Sequence, residues 1–369
     1  MSSARTAEEP LADTLSTAPF VRVAAASDGD SLAAAGLLAR ACAERATPFH
    51  LRLDDEAAAD TEDAVTVTVG PTGVDGDATL DRPASPTAFA VARRLGVDPD
   101  PTLALAGTVA AGETVRAADA ALDAAREAGL LDREPGLSVP SDELAADLAA
   151  STLLHGPASG DGEAAADVVA ELDPADEEFG RRLASLVTLD AVTADGATER
   201  AAERIERALR PYRTPDAPFA TLGGYADVLD ATARTAPGTG IALVLGEQSE
   251  TGVDAALEAW RAYGDSVHRA LRTAETARHR GVWVLSLEDA DPAVLPAVAR
   301  LARDFRSPEP VALTLTGGAA AAAGESGTGD AVVAAAEAVD GTGLGTEFTG
   351  RARFDTDTEQ FTTTFREAL

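Results

Sequence analysis

Asp28 and Asp30 stand two residues apart in Ala26-Ser27-Asp28-Gly29-Asp30-Ser31. Paired carboxylates in a tight turn are the ligand type that a hard divalent cation needs. A two-metal phosphodiesterase asks for more, namely bridging carboxylates plus several further ligands holding ions about 3.5–4 Å apart. Upstream, Val21 to Ala25 is apolar and reads as a strand; downstream, Leu32 to Leu38 is rich in Ala and Leu and reads as a helix. Strand-to-helix turns of this kind lie at the carboxyl edge of an α/β sheet, where ligands bind. Gly29 supplies the turn, and Asp30 or Ser31 is placed to cap the helix.

The remaining chemistry does not complete a metal centre. The four histidines, His50, His155, His268 and His279, are scattered. His268 and His279 fall eleven apart on or near one predicted helix, about 16 Å at 1.5 Å per residue, too far for one ion. Asp-x-Asp recurs at Asp75/Asp77, Asp98/Asp100, Asp289/Asp291 and Asp355/Asp357, so the pair at Asp28 is not distinctive. The single cysteine, Cys42, excludes an internal disulfide and reads as a small buried apolar residue. Gly223-Gly224 reads as a loop, and with no lysine in the chain there is no P-loop. Trp260 and Tyr263 read as core residues beside Leu257, with exposed aromatic platforms for single strands as the alternative. Arg261, Arg269 and Arg272, with Arg278 and Arg280, read as a solvated helix face, with a partner or phosphate contact as the alternative.

Bulk composition sets the frame. The chain has 369 residues, 62 acidic and 30 basic, for a net charge of −32, and every basic side chain is arginine. Acidic residues run along the whole chain, as expected for a protein that keeps its surface hydrated in a high-salt cytoplasm. Screening at molar salt shrinks to about 3 Å, and phosphate binding through basic residues weakens steeply with salt. A long-range basic DNA footprint is therefore excluded, and any contact with nucleic acid must be short-range. No apolar run approaches the length of a membrane span, about 18 residues or more, and Met1 to Pro19 is too polar for a signal peptide. A cytoplasmic location is expected.

The elements that must position these residues alternate along the chain. Strands are expected at Pro48–Leu53 and Val65–Gly70, with an acidic loop, Asp54 to Asp63, between them. A helix is expected from Pro86 to Leu95, and an apolar segment, Leu103 to Gly112, leads into an Ala-rich helix. Ser141 to Arg210 reads as mainly helical, with Asp173 as a cap and Pro174 opening a helix. Beyond a boundary at Pro211 come a helix at Tyr225–Arg234, a strand at Gly240–Leu245, a helix at Val253–Arg278, and strands at Gly281–Leu285 and Pro310–Leu315. Gly317 to Asp330 is expected to be a mobile loop. A helix from Ala331, a Gly-rich turn at Gly341–Gly345, a strand at Gly350–Phe354 and a helix from Thr358 close the chain. The pattern predicts an α/β protein. Its expected parts are a flexible tail (1–19), a parallel-sheet domain with flanking helices and a helical insertion (20–210), and a smaller C-terminal α/β domain (211–369).

This order of pieces resembles the DHH phosphoesterase superfamily, in its archaeal RecJ-like branch. The family opens with a strand, His-x-Asp-x-Asp-Gly and an Ala-rich helix; here Ala26, Ser27, Asp28, Gly29, Asp30 and Ser31 fill that motif. The family's C-terminal Gly-Gly-Gly-His loop is matched by Gly343-Leu344-Gly345-Thr346, and Tyr225 to Arg234 is similar to the helix opening its second domain. The resemblance implies a DHH-like domain followed by a DHHA1-like domain. It also implies a two-metal site with ligands from four motifs, which this chain lacks almost throughout. The first His is Ala26, and the second-motif strand offers Thr and Val before Gly70. The Asp-His-His triplet is absent, its nearest acids being Asp75, Asp77 and Asp81. Gly107 to Ala111 carries Ala where a ligand is expected, and the loop His is Thr346.

The expectation is a pseudoenzyme: a catalytically inactive homologue serving as a scaffold or binding subunit in DNA replication or repair, associated with GINS or the replicative helicase. Asp28 and Asp30 would be vestigial, at most single-ion ligands, with Gly343, Gly345 and Thr346 as candidate contacts for nucleic acid or a partner. No cofactor is expected, Mn or Mg entering only if the chain is active. Two alternatives stand beside it: a metal-dependent single-stranded DNA exonuclease or phosphoesterase, and a single-strand nucleic-acid binding module.

Overall fold

The computed structural model describes residues 2–53 and 64–369, so the acidic loop expected at Asp54 to Asp63 lies outside the described residues. The chain divides into two interleaved compact units. Unit 1 takes residues 1–134, 138–142 and 211–260; unit 2 takes 135–137, 143–210 and 261–369. A single cut at Pro211 is therefore corrected: residues 211–260 return to the first unit, and the helical insertion belongs with the C-terminal sheet.

Unit 1 is built on a parallel sheet. Its elements are α1 (Ser2–Thr17), β1 (Phe20–Ala25), α2 (Gly29–Glu44), β2 (Phe49–Leu53), β3 (Ala64–Val69), β4 (Ala78–Leu80), α3 (Ala84–Arg94), α4 (Pro101–Ala110) and α5 (Asp119–Glu127). The short strands β5 (Asp132–Arg133) and, after the insertion, β6 (Tyr212–Arg213) pair with each other. The strand order is β2-β1-β3-β4, all parallel. Within the expected tail, Ser2–Thr17 forms a helix, α1. Leu11 and Leu15, one helical turn apart in α1, are both buried, and Glu8 pairs with Arg94 of α3 at 3.6 Å.

In unit 2 the insertion forms α6 (Leu144–Ala150), α7 (Gly162–Ala170), α8 (Phe179–Thr193) and α9 (Glu199–Ile205). Two helices of unit 1 follow, α10 (Leu222–Thr235) and α11 (Pro237–Val244), and then α12 (Glu250–Thr273), whose length is shared between the units. The C-terminal part holds β7 (Glu275–His279), β8 (Val282–Ser286), α13 (Leu295–Leu301), β9 (Val311–Thr316), β10 (Ala319–Ala323), α14 (Thr328–Glu337), β11 (Thr342–Gly345), β12 (Thr349–Arg353) and α15 (Thr358–Ala368). These strands form one sheet in the order β11-β12-β10-β9-β8-β7, with β8 and β9 parallel and the other neighbours antiparallel. Its core packs Val332, Phe361 and Phe365 from the helices against Leu313, Leu315 and Val284 from the sheet.

Several elements depart from the sequence expectation, each for a physical reason. Gly240–Leu245 is not a strand but part of α11, opened by Pro237 at its first turn. A short apolar run reads equally as a buried helix, and α11 is buried against α2: a Cβ on Gly36 would lie 2.5 Å from Val244 Cβ. The segment Leu103–Gly112 is itself helical, because Asp100 caps α4 by accepting from the N–H groups of Thr102 and Leu103, with Pro101 behind it. Asp173-Pro174 forms only a turn, the Asp173 carboxylate accepting from Ala175 N at 2.9 Å, and α8 starts at Phe179.

The predicted helix over Val253–Arg278 stops at Thr273, and Gly281 (φ +86°) turns β7 into β8. Gly223-Gly224 lies in the first turn of α10, not in a loop. The stretch Gly317–Asp330 is not a mobile loop: it contains β10, five alanines that are all buried between β9 and β12. Alanine carries no strand preference of its own, so cross-strand pairing dictates this element. Gly341–Gly345 is likewise β11 rather than a turn.

Candidate functional site

The turn after β1 does place Asp28, Gly29 and Asp30 at the carboxyl edge of the parallel sheet, and both carboxylates are buried. Their occupations differ from the expectation. Asp28, not Asp30 or Ser31, is the N-cap of α2: its carboxylate accepts from Ser31 N at 3.0 Å and Ser31 Oγ at 3.1 Å. Asp30 caps a different helix. It accepts from Ala84 N at 2.7 Å, Ser85 N at 2.9 Å and Ser85 Oγ at 2.7 Å. Pro83, at the N-cap position of α3, offers no side-chain acceptor, so Asp30 of α2 supplies one. Burial pushes the Asp30 carboxyl above its ordinary range, opposed by Arg82 and by the backbone N–H of Ala84.

A third carboxylate comes from α10. Asp230 accepts from Gly29 N at 3.1 Å and holds Arg234 in a two-pronged pair, both contacts 2.9 Å. The close approach is enforced at Gly29, where a Cβ would lie 2.9 Å from Asp230 N and 2.9 Å from Ala110 Cβ. Sequence reasoning missed Asp230 because it lies 201 residues away along the chain.

The cations among these acids are guanidinium groups. Arg82, in the stretch between β4 and α3, pairs with Asp28 at 3.5 Å and donates to Ala110 O at 3.4 Å. Burial alone would lower its pKa, but Asp28, Asp30 and Asp230 hold it fully cationic. A metal pair does not fit. Both Asp30 oxygens are taken by the start of α3, and Asp28 and Asp230 are each engaged by an N–H group and a guanidinium. Among the described residues no three His, Cys, Asp or Glu side chains are grouped to hold an ion.

The C-terminal candidates do a packing job. A Cβ on Gly345 would meet Gly329 O at 2.6 Å, and one on Gly343 would meet Val333 Cα at 2.8 Å, so both glycines let α14 lie against β11. Thr346 is bound to its own hairpin, its N donating to Thr349 O at 2.7 Å and its Oγ1 lying 2.9 Å from Thr349 Oγ1. Gly345→Ala is expected to destabilise by about 1–3 kcal/mol through overpacking, read as a lower urea midpoint with an unchanged slope.

The histidines pair differently from the spacing argument. His279 lies in β7 and His50 is exposed on β2. His155 and His268 stack at 5.4 Å between centroids, with Nδ1 to Nδ1 at 3.3 Å. His268 Nε2 is 2.9 Å from Ser151 O, which requires a proton on Nε2 and leaves Nδ1 to accept from His155. Burial, joined by the neighbouring His268, Arg306 and Arg272, lowers His155 to about 3; burial lowers His268 to about 4.

Both rings are neutral in the fold, so the unfolded chain takes up protons first. Stability is expected to fall as pH drops below the ordinary value of 6.5 and to level off near 3, a loss on the order of several kcal/mol. Chemical denaturation at stepped pH checks this, and His155→Gln should flatten the profile.

Other residues resolve as structure. Cys42 is buried, its thiol pushed up to about 11 by burial against the pull of Arg45. Trp260 is fully buried and donates from Nε1 to Asp227 at 2.9 Å. Tyr263 is also buried. Arg261 pairs with Glu143 at 2.7 Å and Asp147 at 3.3 Å, Arg272 binds the carbonyls of Ser159 and Gly160, and Arg278 pairs with Glu309 at 2.5 Å. No helix among the described residues is long and apolar enough to cross a membrane.

Comparison with known proteins agrees with this architecture. Residues 274–367 match the family model described as the C-terminal domain of uncharacterized protein rrnAC1427. Over its full length the chain is similar to RecJ from Thermus thermophilus, solved in complex with Mn2+, at TM-score 0.50 and 15% identity. The match covers all of this chain and 54% of RecJ, so the chain spans about half the length of that protein. The likeness to CDC45 from Entamoeba histolytica has TM-score 0.59 at 8% identity and covers 98% of both chains. These two show the fold, which is that of RecJ and CDC45. Uncharacterized protein rrnAC1427 of Haloarcula marismortui is 45% identical across 97% of this chain and 96% of its own length. The chain therefore belongs to the rrnAC1427 family, and its fold is RecJ-like.

Proposed function

We propose that this protein is a catalytically inactive RecJ-like protein acting as a scaffold or binding subunit in DNA replication or repair, in association with GINS or the replicative helicase. The observation that carries this reading is the use of Asp28, Asp30 and Asp230 as helix caps and arginine partners; among the described residues no three His, Cys, Asp or Glu side chains are grouped to hold an ion. Retention of both units beside a disabled site supports selection for shape rather than for hydrolysis. The likeness to CDC45 across nearly the whole of both chains points the same way, by analogy of fold.

Affinity purification of the tagged full chain from cells, in multimolar KCl, tests the proposal. Recovery of GINS or helicase subunits supports the scaffold role. Recovery of single-stranded DNA without protein supports a nucleic-acid binding module instead. Release of nucleotides from single-stranded DNA with Mn2+ or Mg2+, abolished by Asp28→Ala, overturns both in favour of a metal-dependent exonuclease.

A further inference from the structure

In a chain with twice as many acids as arginines, unit 2 gathers positive charge around one buried carboxylate. Asp304 lies in a π-helical turn, Ala302–Arg306, that follows α13. Its side chain, 3% exposed, pairs with Arg207 and with Arg303 at 3.0 Å and Arg204 at 3.5 Å. Arg300 acts on it electrostatically, and Arg200, from α9, lies in the field of Arg303, Arg204, Asp304 and Glu325. Burial alone would raise the Asp304 carboxyl; Arg207, Arg300, Arg303 and Arg204 hold it below its usual range. One carboxylate cannot neutralise four guanidinium groups.

Two further observations point to an anion as the ligand of this cluster. The Nε atoms of Arg200 and Arg303 are buried without a hydrogen-bond acceptor, and buried orphan donors in native proteins commonly signal a bound water or ion. The π-helical turn is also a rare distortion that recurs at functional sites. The guanidiniums are held in place: Arg200 by the carbonyls of Ser307 and Glu309, Arg207 by Arg204 O, Arg300 by Thr152 O. Arg204 stays 39% exposed, so the cluster is open to solvent at one side.

We propose that this arginine cluster is a phosphate-binding site, taking the phosphate group of a free ion, a nucleotide or a nucleic-acid strand. The excess of positive charge suits a multiply charged oxyanion better than a single carboxylate, and guanidinium forks match phosphate oxygens in pairs. Because the donors are fixed and partly dehydrated, such a site works at contact range, which is the range left at high salt.

The test uses the full chain in multimolar KCl. Inorganic phosphate is titrated against KCl of matched ionic strength while the melting temperature is followed, and a labelled oligo-dT is followed by fluorescence anisotropy. Phosphate is expected to raise the melting temperature beyond the KCl control. In Arg204→Gln, and more so in Arg204→Gln/Arg303→Gln, its apparent affinity should fall about tenfold, the loss of one charge-assisted contact. The single variant alters the more exposed guanidinium and leaves Arg207 and Arg303 on Asp304, so it tests the site even if the double variant does not fold.

Oligo-dT binding that follows the same variants identifies a strand as the source; a phosphate response without oligo-dT binding identifies a small phosphate compound. A phosphate effect equal to the KCl control overturns the proposal. So does an affinity unchanged in Arg204→Gln, or binding of a poly-glutamate peptide in place of phosphate.

Discussion

Asp30→Ala is expected to destabilise unit 1 by about 3–5 kcal/mol, the range for removing one partner of a buried charged network. The substitution strips three hydrogen bonds at once and leaves the first N–H groups of α3 buried without an acceptor. Asp30→Asn keeps the shape and one acceptor oxygen, so it should recover part of the loss. Guanidinium denaturation in multimolar KCl, followed by circular dichroism, reads both. A metal ligand in a working site behaves differently, because its removal relieves repulsion between acids and often spares stability. A stable Asp30→Ala protein would contradict the capping role.

Arg82→Ala carries the second large effect. It leaves Asp28 with its Ser31 contacts but without its guanidinium partner, beside Asp30 and Asp230. Removing a partner from a fully buried pair costs about 3–5 kcal/mol; with 23% of the Arg82 side chain still reaching solvent, about 2 kcal/mol is expected. The sign of the cation response is the more telling readout. In the variant, Mn2+ should restore part of the melting temperature, because a cation again sits among the acids. In the unaltered protein Mn2+ should add nothing beyond its ionic strength. Restoration by Mn2+ in both proteins would contradict the assignment of Arg82 as the internal counter-charge.

How far the sequence reached can be read from particular residues. The strand, turn and helix around Asp28 were legible because a β-branched run, a glycine and an Ala-rich stretch each follow local rules. The first unit's parallel order followed from alternation of strands and helices, and Trp260, Tyr263 and Cys42 were legible as core. The failures share a cause: they are elements decided by partners distant in sequence. β10 is strand only because β9 and β12 flank it, and α11 is helix because α2 receives it at Gly36.

At the candidate site, the replacement of the family's first His by Ala26 could be read from residue types, but the arginine partners of the carboxylates could not. A search for imidazoles and carboxylates passes over Arg82, although the residues Asp81-Arg82-Pro83 stand in the loop before α3. Nor does spacing reveal that Asp230 closes on Gly29, or that His155 stacks on His268, 113 residues away. The interleaving of the units, with Pro211 to Trp260 returning to the first, is of the same kind.

Calorimetric titration of the intact protein with Mn2+ in multimolar KCl tests most directly whether arginines and helix starts have taken over the carboxylates of unit 1. Heats no larger than those of dilution are predicted. Saturable uptake of about two ions per chain, lost in Asp28→Ala, would mean that a two-metal centre assembles after all.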